Sequence, residues 1–126
     1  LFTIGIGNYT ENDIKEAARA FTGWQTKPDG FFFNKSQHDF GQKTVLGVTG
    51  NLNGEDIVSI LVKHPQTGHF LARKLITFFA YDNPDKSFVE RVARAYRESK
   101  YCLGPMLKAI FSDCSRLPLN PGVMKL

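Results

Sequence analysis

From Asn53 onward the apolar residues of this chain recur at intervals of three and four. Ile57, Ile60 and Leu61 form one stripe. Phe70, Leu71, Leu75, Phe78 and Phe79 form a broader one, Phe88, Val89, Val92 and Tyr96 a third, and Leu107, Ile110 and Phe111 a fourth. That period marks helices with one buried face. It predicts helices from Asn53 or Gly54 to His64, from Gln66 to about Tyr81, from Pro84 to about Ser99, and from Pro105 to Phe111. Pro65 separates the first two, because a proline disfavours helical backbone in the residue before it. His64 is therefore predicted to close the earlier helix. The helix from Gln66 is the most hydrophobic, and its five large side chains are predicted to form the core.

The stretch before Asn53 has a different texture. Leu1 to Gly7 alternates apolar with small residues and reads as a short extended lead-in. Thr10 followed three residues later by Asp13 is the signature of a helix N-cap with a reciprocating carboxylate. Ile14, Ala17, Ala18 and Phe21 continue the period until Thr22-Gly23 ends it. Phe31–Asn34 and Thr44–Val48 have the character of strands, and they are predicted to pair as one hairpin across the long linker from Lys35 to Lys43. A two-stranded sheet is marginal alone, so Trp24 and the phenylalanines around it are expected to pack it onto helices. After Ser112 no period remains, and residues 112–126 are predicted to be an irregular tail. The fold class expected is mainly α: four to five packed helices with one small β-hairpin inserted after the first helix, in a single partial domain spanning 1–126.

Composition narrows the function classes. The chain has 126 residues, 42% hydrophobic and 22% charged, with a net charge of +4. This is enough apolar material for a packed core. No apolar run approaches the roughly 20 residues of a membrane helix, so no membrane span is expected. Basic residues are scattered beside acidic ones rather than gathered on one face, which argues against a nucleic-acid partner. Cys102 and Cys114 flank a predicted short helix, which sets them too far apart for a disulfide, so both are read as free thiols. The compartment stays open between cytoplasmic and exported.

The candidate chemistry is concentrated between Phe21 and Gly50. His38-Asp39, bounded by Gly41, is the sharpest pair, since a histidine beside an acid can serve as a general base or a metal ligand. The competing reading is that Asp39 closes the loop and His38 bonds to backbone. His38, His64, His69 and Asp39 lack the spacing of a zinc site, so no metal or cofactor is expected. Gly41-Gln42-Lys43-Thr44 lacks the glycine that precedes the lysine of a phosphate loop. Trp24, Lys43, Arg73 and Lys74 are the candidate binding residues. A carboxylate walled by phenylalanines needs a partner, and Arg73 or Lys74, the cations that interrupt the most hydrophobic helix, are predicted to pair with Asp39 and leave His38 available to a ligand.

Three segments taken together, LFTIGIGNYTENDIKEAARAFTGW, FFFNKSQHDFGQKTVLGVTGNLNGEDIV and HFLARKLITFF, resemble the bacterial "domain of unknown function 1800" family over about Leu1 to Phe111. In that family a leader like LFTLGVG-x-YTE-x-D runs into ARAFTGW, followed by an HDFG-x-K segment and an ARKL helix. The resemblance implies that this is the C-terminal portion of a longer protein. It places Trp24, His38, Asp39, Gly41, Lys43, Arg73 and Lys74 at motif positions and assigns them no role. It also implies the remainder of the full-length protein as a partner, with another envelope or secreted protein as a second. The expected function is a binding or assembly module within a larger bacterial protein. The alternative is part of a hydrolase-like or metal-dependent enzyme using His38 and Asp39.

Overall fold

The computed structural model describes residues 2–112. In chain order its elements are α1 (Glu11–Ala20), β1 (Trp24–Lys27), β2 (Gly30–Phe33), a 3-10 turn (Lys35–Gln37), β3 (Lys43–Val45), β4 (Val48–Gly50), α2 (Gly54–Lys63), α3 (Pro65–Phe79), α4 (Lys86–Glu98) and α5 (Gly104–Ser112). The architecture is mainly α with small antiparallel hairpins, as the periodicity predicts. Beyond Ser112, which ends α5, the predicted tail lies outside the described residues, and so does Cys114. Cys102 is a free, exposed thiol. The chain divides into two compact units, one of Ile6–Val62 and one that combines the lead-in before Ile6 with the chain from Lys63.

In the first unit α1 starts as its sequence dictates. The Thr10 hydroxyl accepts from the Asp13 amide at 3.1 Å, and Asp13 Oδ2 accepts from the Thr10 amide at 2.8 Å. α2 opens on the same reciprocal pair, with Asn53 Oδ1 accepting from the Asp56 amide at 3.0 Å and Asp56 Oδ2 from the Asn53 amide at 2.9 Å. Each cap satisfies amides that the first helical turn leaves without partners. Ala20, Val45, Leu52 and Ile57 are buried together, with Ala17, Phe21, Leu46, Ile60 and Leu61 packed around them.

The strand pairing differs from expectation. Phe31–Asn34 does not pair with Thr44–Val48. Each half folds back on itself instead: β1 pairs with β2, Trp24 opposite Phe33, and β3 with β4, Lys43 opposite Gly50. Local hairpins close short loops and lose less chain entropy than one hairpin spanning a nine-residue linker. Pro28-Asp29 turns the first. The second turns on Leu46 (φ 49°) and Gly47 (φ 81°), two successive left-handed residues that suit the twist of a tight hairpin.

In the second unit Ala72, Ile76, Ala80, Phe88, Val89, Val92, Ala93, Tyr96, Met106 and Ile110 make the core, drawn from α3, the residue after it, α4 and α5. Here too the prediction needs correction. The buried residues of α3 are Thr67, Gly68, Ala72 and Ile76. Of the five predicted core side chains, Leu71 and Leu75 pack against this core while partly buried, Phe70 and Phe79 are partly buried, and Phe78 is 70% exposed. Small residues at intervals of four let α4 approach closely: a Cβ on Gly68 would sit 3.2 Å from the Tyr96 ring and 3.5 Å from the Ala93 carbonyl. Close backbone approach, not side-chain size, thus selects the buried face. His64 is the N-cap of α3, its Nδ1 accepting from the Gln66 amide at 3.2 Å with Pro65 at the first helical position. A proline there gives up an amide that would have had no helical partner.

Candidate functional site

The loop carrying His38 and Asp39 is fastened to the C-terminal end of α1. Gly23, just past that helix, has φ 83°, and a Cβ on it would meet the Asn34 carbonyl at 2.6 Å. Only glycine lets the chain turn there with Asn34 N donating to Gly23 O at 2.7 Å. Thr22 is the next fastening. Its hydroxyl donates to Arg19 O at 2.6 Å and accepts from the Asp39 amide at 2.8 Å, while its carbonyl receives His38 Nδ1 at 2.7 Å. That bond requires the proton on Nδ1. The His38 ring lies edge-on to Phe33 and Phe40, with centroids 5.2 and 4.6 Å away, and the residue is 8% exposed. His38 is therefore a buried, backbone-bonded histidine and Asp39 closes the loop, as the competing reading of this pair has it, and the ring is not left open to a ligand.

Asp39 is paired, but not with Arg73 or Lys74. Its partner is Arg19 on α1: Nε donates to Oδ2 at 2.7 Å and Nη2 to Oδ1 at 3.3 Å, and the Gly41 amide donates to Oδ1 at 2.8 Å. The two-pronged guanidinium and the backbone amide hold the Asp39 carboxyl down to about 2 from its ordinary 3.8. Arg19 Nη1 also grips both oxygens of Glu16 at 2.9 Å, which lowers that carboxyl too. Sequence reasoning missed Arg19 because it lies off the apolar stripe of α1. The available signal was its place one turn before the Thr22-Gly23 stop, beside the returning loop.

Lys43 completes the loop from inside. It is 1% exposed, and Nζ donates to Asp39 O at 2.5 Å and Gly41 O at 3.0 Å. Of the predicted binding residues, Lys43 is thus turned inward, its ammonium enclosed by the loop's own carbonyls. The structure brings His38, Asp39 and Lys43 together with Arg19 and Thr22 as one closed hydrogen-bonded corner. The His38 ring bonds to a carbonyl and the Asp39 carboxylate to a guanidinium, so each is engaged by a different partner. Among the described residues no three of His, Cys, Asp and Glu converge to hold a metal ion.

α1 also serves the β3 segment directly. Asp13 Oδ1 accepts from Leu46 N at 2.8 Å, Glu16 Oε2 accepts from Thr44 N at 3.2 Å, and Arg19 Nη1 donates to Gln42 O at 3.3 Å. Side chains three apart on one helix face meet alternate residues of the extended segment, because residues three apart lie on one side of a helix and alternate strand residues present their backbone to one edge. Two backbone bonds, from Thr10 and from Leu46, lower the Asp13 carboxyl.

Trp24, at the start of β1, is the remaining predicted binding residue of this unit. It stands edge-on to Phe21 and Phe31, with centroids 5.1 Å away in both cases. One side of its ring covers Gly54, and 39% of the residue is exposed. With Gln25, Thr26 and Phe31 it lines an open depression of about 490 Å³. Phe31 is 64% exposed, and Phe40 is exposed on the loop. In the other unit, Arg73 and Lys74 lie exposed on the outer face of α3, where Phe70, Thr77 and Phe78 complete a depression of about 420 Å³.

A model of the family described as "Protein of unknown function (DUF1800)" matches residues 1–117. No curated protein and no solved structure matches the chain. Among the described residues no helix is long and apolar enough to cross a membrane.

Proposed function

We propose, for a chain that belongs to the DUF1800 family of proteins of unknown function, that it is a binding and assembly module whose first hairpin presents an aromatic face to another polypeptide of the larger protein it serves. The observation that carries this reading is the exposed Trp24–Phe31 pair beside its depression. Exposed aromatics grouped on a rigid element are the usual anchors of protein interfaces. The polar loop behind the hairpin acts as its support: Arg19, Thr22 and Lys43 hold the His38–Asp39 corner, and the His38 ring stacks edge-on against Phe33 of β2. A hydrolase-like or metal-dependent reading built on His38 and Asp39 has less geometry behind it, since the His38 ring bonds to Thr22 O and the Asp39 carboxylate to Arg19.

The experiment is a photo-reactive aromatic residue at position 31 in the longest natural form of the protein. Crosslinks into another polypeptide segment, reduced by Trp24→Ala or by competing unlabelled protein, are expected. A probe that reacts only with water would overturn the reading. Phe31→Ser, at an exposed position, should lower binding of a hydrophobic dye and leave the circular dichroism spectrum unchanged.

A further inference from the structure

The outer face of α3 is a second surface, in the other compact unit, and its argument stands without the hairpin. Phe70 and Phe78 lie eight residues apart, roughly 12 Å along a helix, and Arg73, Lys74 and Thr77 fill the space between them over a depression of about 420 Å³. Phe78 is 70% exposed. Lys74 Nζ stands 5.5 Å from the centre of the Phe70 ring. α3 contains no Asp or Glu, and Glu90 of α4, which meets α3 at His69, is also held by Arg97. Among the described residues neither Arg73 nor Lys74 has a carboxylate partner.

We infer that this face docks an acidic amphipathic helix of a partner protein, which sets its apolar stripe against Phe70 and Phe78 and its carboxylates on Arg73 and Lys74. The charge on the face selects that occupant. Two cations release about two counterions, so the electrostatic share of nucleic-acid binding, with a slope near −0.9 per phosphate, would be small. An anionic membrane gains about 1 kcal/mol per basic residue near its surface, which two residues do not turn into stable attachment. A second copy docked through the same face would set Arg73 and Lys74 against their own equivalents, because a two-fold contact apposes identical patches. A helix carrying Glu beside Leu or Phe meets both the cations and the aromatic walls.

The test uses two synthetic amphipathic helices with the same leucine stripe, one flanked by Glu and one by Lys. Each is titrated into the isotopically labelled chain and followed by backbone NMR shifts. The Glu peptide is expected to bind with shifts centred on residues 70–78. The charge-reversed R73E/K74E protein should bind it about tenfold more weakly or worse, the effect of losing an interface anchor, and should favour the Lys peptide. Phe78→Ser should weaken both. If the double variant does not fold, salt titration of the unaltered protein replaces it, and Glu-peptide binding should fall as ionic strength rises. Equal binding of the two peptides, shifts that map elsewhere, or preferential binding of a single-stranded oligonucleotide, anionic phosphatidylserine vesicles or a second copy of the chain would overturn the inference.

Discussion

Replacing Gly54 by alanine isolates the contact that seats Trp24. Gly54 is the buried first residue of α2, and a Cβ built there would lie 2.4 and 2.6 Å from two Trp24 ring atoms and 2.7 Å from Phe21 Cδ1. Carbon atoms do not approach so closely, so the indole or the start of α2 must move. Overpacking of a filled site costs about 1–3 kcal/mol. Against it stands the helical preference of alanine over glycine, at most about 1 kcal/mol in a helix interior and less at its first residue. The clash wins, and the net loss should be about 1–2 kcal/mol. With an m-value of about 1–2 kcal/mol/M the urea midpoint falls by about 1 M. Gly104→Ala is the matched control: it also opens a helix, α5, and a Cβ there meets nothing within 4 Å, so it should be neutral or slightly stabilising. Trp24 is the chain's single tryptophan, which lets its fluorescence report the displacement directly. An alanine at 54 with unchanged emission and an unchanged midpoint would refute the packing described around Trp24.

Two further outcomes follow from the loop and its supports. Lys43→Ala removes a buried side chain and strands the Asp39 and Gly41 carbonyls, so it should destabilise by about 2–4 kcal/mol by urea denaturation; a surface-like effect would return Lys43 to the ligand-binding candidates. Acid should loosen the same unit. The Asp39, Glu16 and Asp13 carboxyls are depressed in the folded state, so their stabilisation is complete above their unfolded values of 3.8 and 4.5 and is lost as pH falls through the folded ones, which for Asp39 means between 3.8 and about 2. Unfolding followed by pH should show this loss in the native protein and a smaller one in Asp39→Asn; identical acid profiles would remove Asp39 from the account.

How much of this was legible in the sequence depended on the range of each interaction. The helix start at Thr10 was readable because the cap and its carboxylate lie three residues apart in the chain. The next start was left between Asn53 and Gly54, and the reciprocal Asn53–Asp56 bonds assign the cap to Asn53. The hairpins were misread because Leu46 adopts a left-handed conformation that leucine seldom takes, so Leu46-Gly47 gave a weaker turn signal than Asn-Gly would. On α3 the large side chains drew attention, whereas the buried face was set by Gly68 and Ala72 and by the nearness of α4. A cation beside Asp39 was expected from the cost of burying a carboxylate among phenylalanines; the pairing is present, but the Asp39 side chain is 36% exposed, so burial is not what demands it. Which cation supplies it was not legible, because Arg19 and Arg73 are equivalent until the chain folds.

The row of Asp13, Glu16 and Arg19 along β3 has one more consequence. A two-stranded ribbon leaves backbone groups on its outer edge able to template another chain's strand. Here a helix fills that place with side chains, answering Leu46, Thr44 and Gln42 in turn, so α1 covers the edge from within the same chain. Its grip depends on two ionised carboxylates. Once pH falls below the ordinary values of 3.8 and 4.5 for these two carboxyls, the protein should therefore do more than unfold: with the edge uncovered, neighbouring molecules can add strand to strand, and the product should be β-rich assemblies rather than dispersed chains.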